Sequence, residues 1–147
     1  MTELTPHFTL EEFTDSQTAA RQGIPNMPSG QERKNVQRTA EVMEKVRDVL
    51  NNHPILISSG YRSPAVNAAI GGSKSSAHMS GLAVDFSCPD FGTPLEICKE
   101  LQPHMKKLGI DQLIHEYGTW VHLGLSAADP RHMALTIDNK GTRNGFA

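Results

Sequence analysis

Apolar residues in the first half of the chain recur at steps of three and four. Val36, Ala40, Met43, Val46, Val49 and Leu50 form one stripe, the signature of an amphipathic helix. Ser29-Gly30-Gln31-Glu32 ahead of it has the form of a capping box, and Asn51-Asn52 with Pro54 beyond mark its end. Thr9-Leu10-Glu11-Glu12 repeats the capping pattern and predicts a short helix within 7–26. Ile55-Leu56-Ile57-Ser58-Ser59, bounded by Pro54 and Gly60, predicts a buried strand. Residues 64–70 predict a short helix with Pro64 in its first turn and Gly71-Gly72 as its stop. After a Gly- and Ser-rich loop over 71–80 the period changes to two, with Leu82, Val84 and Phe86 on one face and Ala83, Asp85 and Ser87 on the other. Leu95, Cys98, Leu101, Met105 and Leu108 predict a helix over 94–108 that Pro103 interrupts. Residues 111–117 and 119–125 read as a tight hairpin about Gly118, and 133–137 as a last apolar run before a polar tail. Helices precede strands without regular βαβ alternation, so the expected class is α+β, with N-terminal helices packed on a small antiparallel sheet.

Composition narrows the function. At 147 residues, 37% hydrophobic and 20% charged, the chain fits a single domain over 1–147 whose core needs no disulfide scaffold. Fourteen basic against 16 acidic residues, a net charge of −2, leave no positive field of the kind that grips nucleic acid. Cys88 and Cys98 fall outside any zinc-finger spacing and read as free thiols. No run of about 18 apolar residues offers membrane insertion. The N-terminal segment lacks a basic stretch followed by an apolar one, so the expectation is a chain made in the cytoplasm without an export signal; a monomer is expected.

His78, Asp85 and His122 stand out as metal-ligand types. On one helix, His78 and Asp85 would lie about 10.5 Å apart along the axis, too far for bonds of about 2 Å to one ion. A loop turning back at Ser80-Gly81, with Asp85 on the following strand and His122 on a neighbouring one, brings all three together. Two nitrogens and one carboxylate leave a zinc position open, as catalytic sites do, and an open zinc activates water and polarises a carbonyl. Spacing alone also allows an ordinary loop histidine and a partly buried strand histidine.

Ser76-Ala77-His78-Met79-Ser80-Gly81-Leu82-Ala83-Val84-Asp85 matches the S-x-H-x-x-G-x-A-x-D signature of the zinc D-alanyl-D-alanine carboxypeptidase family, bacterial and phage peptidases similar in fold to the Hedgehog signalling domain. Ser59-Gly60-Tyr61-Arg62-Ser63-Pro64 resembles the family's S-G-Y-R-S segment, and Trp120-Val121-His122 its W-x-H segment. These motifs occur in the family's order over a core of about 55–125. Phe8-Thr9-Leu10-Glu11-Glu12-Phe13 and the long helix look like the phage-type branch. The resemblance implies one Zn2+ held by His78, Asp85 and His122, and a peptidoglycan stem peptide as substrate.

The family's usual acidic residue three places before the last zinc histidine is replaced here by Thr119. Phage-type members carry a glutamate earlier, which makes Glu116 the candidate general base. A hairpin loop of Gly118-Thr119-Trp120 puts Glu116 opposite His122, whereas a loop of Gly118-Thr119 puts His115 there. Arg62 matches the family's active-site arginine, suited to a substrate carboxylate or a developing oxyanion. Ser76 is a candidate for touching substrate or orienting His78, and Tyr61 and Trp120 for lining the groove. His7, His53, His104 and His132 have no motif partners and read as surface or helix-end residues. The expectation is a zinc peptidase cutting the stem as a D,D-carboxypeptidase or L-alanyl-D-glutamate endopeptidase, in the manner of a phage endolysin. The alternative is a non-catalytic zinc module that binds wall peptide or protein, such as a virion component.

Overall fold

The computed structural model describes residues 2–146; Met1 and Ala147, the ends of the expected domain, lie outside the described residues. A small hairpin of β1 (Glu3–Thr5) and β2 (Phe8–Thr9) leads into α1 (Leu10–Thr14) and α2 (Gln17–Gln22). Thr9 caps α1 through the predicted capping box. The long α3 (Gly30–Val49) buries Val36, Thr39, Ala40, Met43 and Val46 along the predicted stripe. Ser29 stands at its N-cap without a side-chain capping bond, because Gly30 adopts φ 58° and the first turn departs from capping-box geometry.

Next come β3 (Leu56–Ser59), α4 (Pro64–Ala69), a 3-10 turn at Ala77–Ser80, and β4 (Ala83–Ser87). The predicted interruption at Pro103 splits 94–108 into α5 (Pro94–Leu101), a 3-10 turn and α6 (Met105–Leu108). The chain ends with β5 (Gln112–Glu116), β6 (Trp120–Gly124), β7 (Met133–Asp138) and β8 (Gly141–Asn144). The main sheet has the order β3-β4-β6-β5-β7-β8.

Four expectations are corrected. The sheet is mixed, not wholly antiparallel: β5 and β7 pair in parallel, because the chain returns over 125–132 to the same end of the sheet before β7 begins. β3 is an edge strand with Leu56 56% exposed, so the buried residue of that run is Ile55, just ahead of the strand. The polar tail supplies β8, an exposed edge with no apolar alternation to reveal it. The β5–β6 loop is Tyr117-Gly118-Thr119, which sets Glu116 opposite Trp120 and Ile114 opposite His122, so neither expected register holds. Tyr117 and Gly118 take φ 53° and 64° to close it.

One face of the sheet packs on helices. Val84, Phe86, Leu113, Val121 and Leu123 meet Met43, Val46, Ile97 and Leu101 in one hydrophobic cluster, each large side chain contributing about 1.5–3 kcal/mol by burial. Cys88 and Cys98 are free and buried within it, and burial pushes the Cys98 thiol up to about 12, which makes it unreactive. Strand alternation sends Asp85, Ile114, Glu116, Trp120 and His122 to the other, open face.

Candidate metal centre

β4 and β6 place Asp85 directly opposite His122, and His122 Nδ1 lies 2.9 Å from Asp85 Oδ1. His78 arrives from the 3-10 turn, with Nε2 3.4 Å from Asp85 Oδ2 and its ring edge-on to that of His122 at 5.2 Å. One ligand atom from each of the three lies within 4.8 Å of the others. The Ser80-Gly81 turn that delivers His78 is held by α3: Thr39 Oγ1 donates to the Gly81 carbonyl (2.7 Å) and Asn35 Nδ2 to that of Ser80 (2.9 Å). Gly81 sits at φ 78°, and a Cβ there would lie 2.7 Å from the Glu32 carbonyl oxygen, so glycine is required on both counts.

The donor set fits a metal. His78 Nδ1 is 2.7 Å from the Gly60 carbonyl, which can only accept, so the ring proton resides on Nδ1 and the Nε2 lone pair faces Asp85. Two imidazoles and a carboxylate with an open side match a three-ligand zinc site. Burial raises the Asp85 pKa, but the adjacent His122 and His78 side chains lower it by more, and the net shift is strongly downward. The carboxyl is therefore an anion, the form in which it binds a cation.

Glu116 Oε1 is 3.7 Å from His122 Nδ1. Burial raises the Glu116 pKa, with Asp85 adding to the shift and His122 and Arg62 opposing it, which moves it toward the range useful for proton transfer. His115 faces the other side of the sheet, is 8% exposed, and has no hydrogen-bond partner at Nδ1. Thr119 lies in the hairpin loop and donates its N–H to the Glu116 carbonyl (3.1 Å).

Arg62 Nη2 donates to Ser76 Oγ (3.1 Å), which also accepts from the His78 N–H (3.2 Å). Arg62 Nε is buried without a partner. Burial lowers the Arg62 pKa against the pull of Asp85 and Glu116, and an arginine guanidinium keeps its charge in a folded protein. Asn26 fixes this segment, donating to the Thr14 and Tyr61 carbonyls and accepting from the Ser63 N–H.

His78, Asp85, His122, Glu116, Arg62, Ser76 and Trp120 line one cleft of ≈ 580 Å³. Tyr61 does not line it; its ring is 7% exposed in the hydrophobic cluster and borders a neighbouring cavity. The cleft also contains residues that sequence reasoning missed: an apolar strip of Ile114, Leu135 and Ile137, and the pair Asp111–Arg131. The strip was recoverable only from the true register, and nothing in the sequence flags Asn26 or the Asp111–Arg131 pair. His7, His53, His104 and His132 lie outside the cleft.

An open three-ligand set at the wall of a cleft belongs to the metallohydrolase class of site. Comparison with protein families narrows the class: the Peptidase M15 model matches residues 6–124, and the chain belongs to that family. No curated protein matches the chain. Membership of a peptidase family implies a peptide substrate. Among the described residues no helix is long and apolar enough to cross a membrane.

Proposed function

We propose that the chain is a single-domain zinc peptidase that hydrolyses an amide bond in peptidoglycan stem peptides, as a D,D-carboxypeptidase or an L-alanyl-D-glutamate endopeptidase of endolysin type. The observation that carries this reading is the shared cleft, in which Glu116 and Arg62 flank a His78–Asp85–His122 group whose His78 tautomer is already set for a metal. A zinc ion held by those three residues supplies Lewis acidity, polarising a carbonyl and making water nucleophilic near neutral pH.

Glu116, half-buried beside His122, takes a proton from the attacking water. Oxygen bonds to the carbonyl carbon, the C–N bond breaks, and Glu116 returns the proton to the leaving nitrogen. Arg62 meets the negative charge that develops on the carbonyl oxygen or a substrate carboxylate, with Ser76 orienting its guanidinium. Trp120 walls the Glu116 end of the cleft.

Mass spectrometry of purified peptidoglycan fragments incubated with the protein, with and without a zinc chelator, tests the reading. Chelator-sensitive loss of one alanine identifies the carboxypeptidase, and a released stem peptide the endopeptidase. Fragments left intact by folded, zinc-loaded protein would favour a non-catalytic wall-binding module.

A further inference from the structure

The cleft has a second charged end. Sheet register orders its floor in rows: Glu116 beside Trp120, then Ile114 beside His122, then Gln112 beside Gly124. Asp111 follows, its N–H donating to the Gly124 carbonyl (2.9 Å). At about 3.4 Å per strand residue, Asp111 stands about 10 Å from the Ile114–His122 row, on the side away from Glu116. Asp111 is 6% exposed, and Arg131 closes on it through its backbone N–H (2.8 Å), Nε (3.0 Å) and Nη2 (2.7 Å).

That grip consumes only part of the guanidinium. Of five N–H donors on an arginine, two bind Asp111, and Nη1 makes no hydrogen bond among the described residues. The side chain is 59% exposed and borders the cleft. Asp111 thus fixes the plane of the fork, and its outer Nη1–Nη2 edge has the geometry to take a second carboxylate side-on. A structural clasp needs only the Asp111 contacts; it gives no reason for the free edge to border the same cleft as the metal ligands.

Resting on the peptidase reading, we infer that Arg131 is a specificity-determining residue: it binds a free carboxylate of the substrate peptide about three residues from the bond that breaks, with Asp111 as its positioning residue. The separation follows from about 10 Å of cleft and about 3.3–3.6 Å per extended residue. Arg131 lies beyond residues 6–124, the stretch that carries the family match.

Calorimetric titration tests this on full-length, zinc-loaded protein carrying Glu116→Gln to stop turnover. The probes are L-alanyl-γ-D-glutamyl-L-lysyl-D-alanyl-D-alanine and two analogues, one amidated at the glutamate α-carboxyl and one at the C-terminus. With Arg131 present, one amidation weakens binding by about tenfold or more, the scale of a charge-assisted hydrogen bond. In Arg131→Ala the same amidation has little effect. Arg131→Lys keeps a cation beside Asp111, preserves the fold if the alanine variant does not, and also loses discrimination because it lacks the fork. Equal losses with and without Arg131, or no binding of any probe, overturn the inference. Failure of the peptidoglycan reading shows separately, as muropeptides left uncut by zinc-loaded protein with Glu116 intact.

Discussion

Glu116 and His122 face the same side of the sheet, 3.7 Å apart at Oε1 and Nδ1, although the residue opposite His122 is Ile114. Glu116 therefore reaches its neighbour along a diagonal, two residues from the His122 row, and any register that keeps the same parity preserves the shared face.

Glu116→Gln keeps the volume and removes the base. Turnover of a stem-peptide substrate is expected to fall about 10²–10⁴-fold, while metal content, read by elemental analysis, stays at one ion per chain. Unchanged turnover would remove Glu116 from the mechanism.

Metal removal has a stability signature independent of catalysis. Free zinc at about 100-fold over its Kd adds about 2.7 kcal/mol. For a chain of 147 residues that raises Tm by roughly 5–10 °C, at about 2–4 °C per kcal/mol. Scanning calorimetry should show the shift in wild type, its reversal by chelator, and its absence in His78→Ala and Asp85→Asn. A full shift in either variant contradicts the three-ligand site.

Hydrogen bonds from Arg131 hold the Asp111 carboxyl below its ordinary value, against burial. Its folded pKa is thus lower than its unfolded one, so the pair's stabilisation is complete above about pH 4 and is lost as pH falls through the folded value. Denaturation monitored from pH 6 to pH 2 should show a steeper acid loss for wild type than for Asp111→Asn. Parallel curves would mean the pair contributes nothing to folding.

At Gly60 a Cβ would lie 2.6 Å from the Phe13 carbonyl oxygen and 2.8 Å from its Cα, both backbone atoms. Tyr61 N–H donates to that same carbonyl (2.6 Å), so the two segments cannot part cheaply. Gly60→Ala is expected to cost about 1–3 kcal/mol, read from urea midpoints, and to weaken metal binding by displacing the carbonyl that orients His78. Wild-type values for both would show that α1 yields to the methyl group.

The sequence announced the His78, Asp85 and His122 group because its members are close to one another in the chain or flanked by specific neighbours: His78 and Asp85 share one ten-residue motif, and His122 stands two places after Trp120. Their ligand atoms converge within 4.8 Å of one another in the fold. Helix limits at Thr9 and Pro103 were legible for the same local reason. The hairpin register was not, because it depends on Tyr117 entering the left-handed region, which a tyrosine rarely does. The parallel β5–β7 pair and the Asp111–Arg131 clasp join segments across a long loop and leave no local periodicity to read.

The acceptor that sets the His78 ring is the main-chain carbonyl of Gly60. Many metal-bound histidines are oriented by a carboxylate side chain, which a single codon change can erase. Here every amino acid at position 60 retains a carbonyl, so point mutation can displace this acceptor but cannot delete it. The ring's orientation is inherited from the path of the backbone, which makes it as durable as the fold itself.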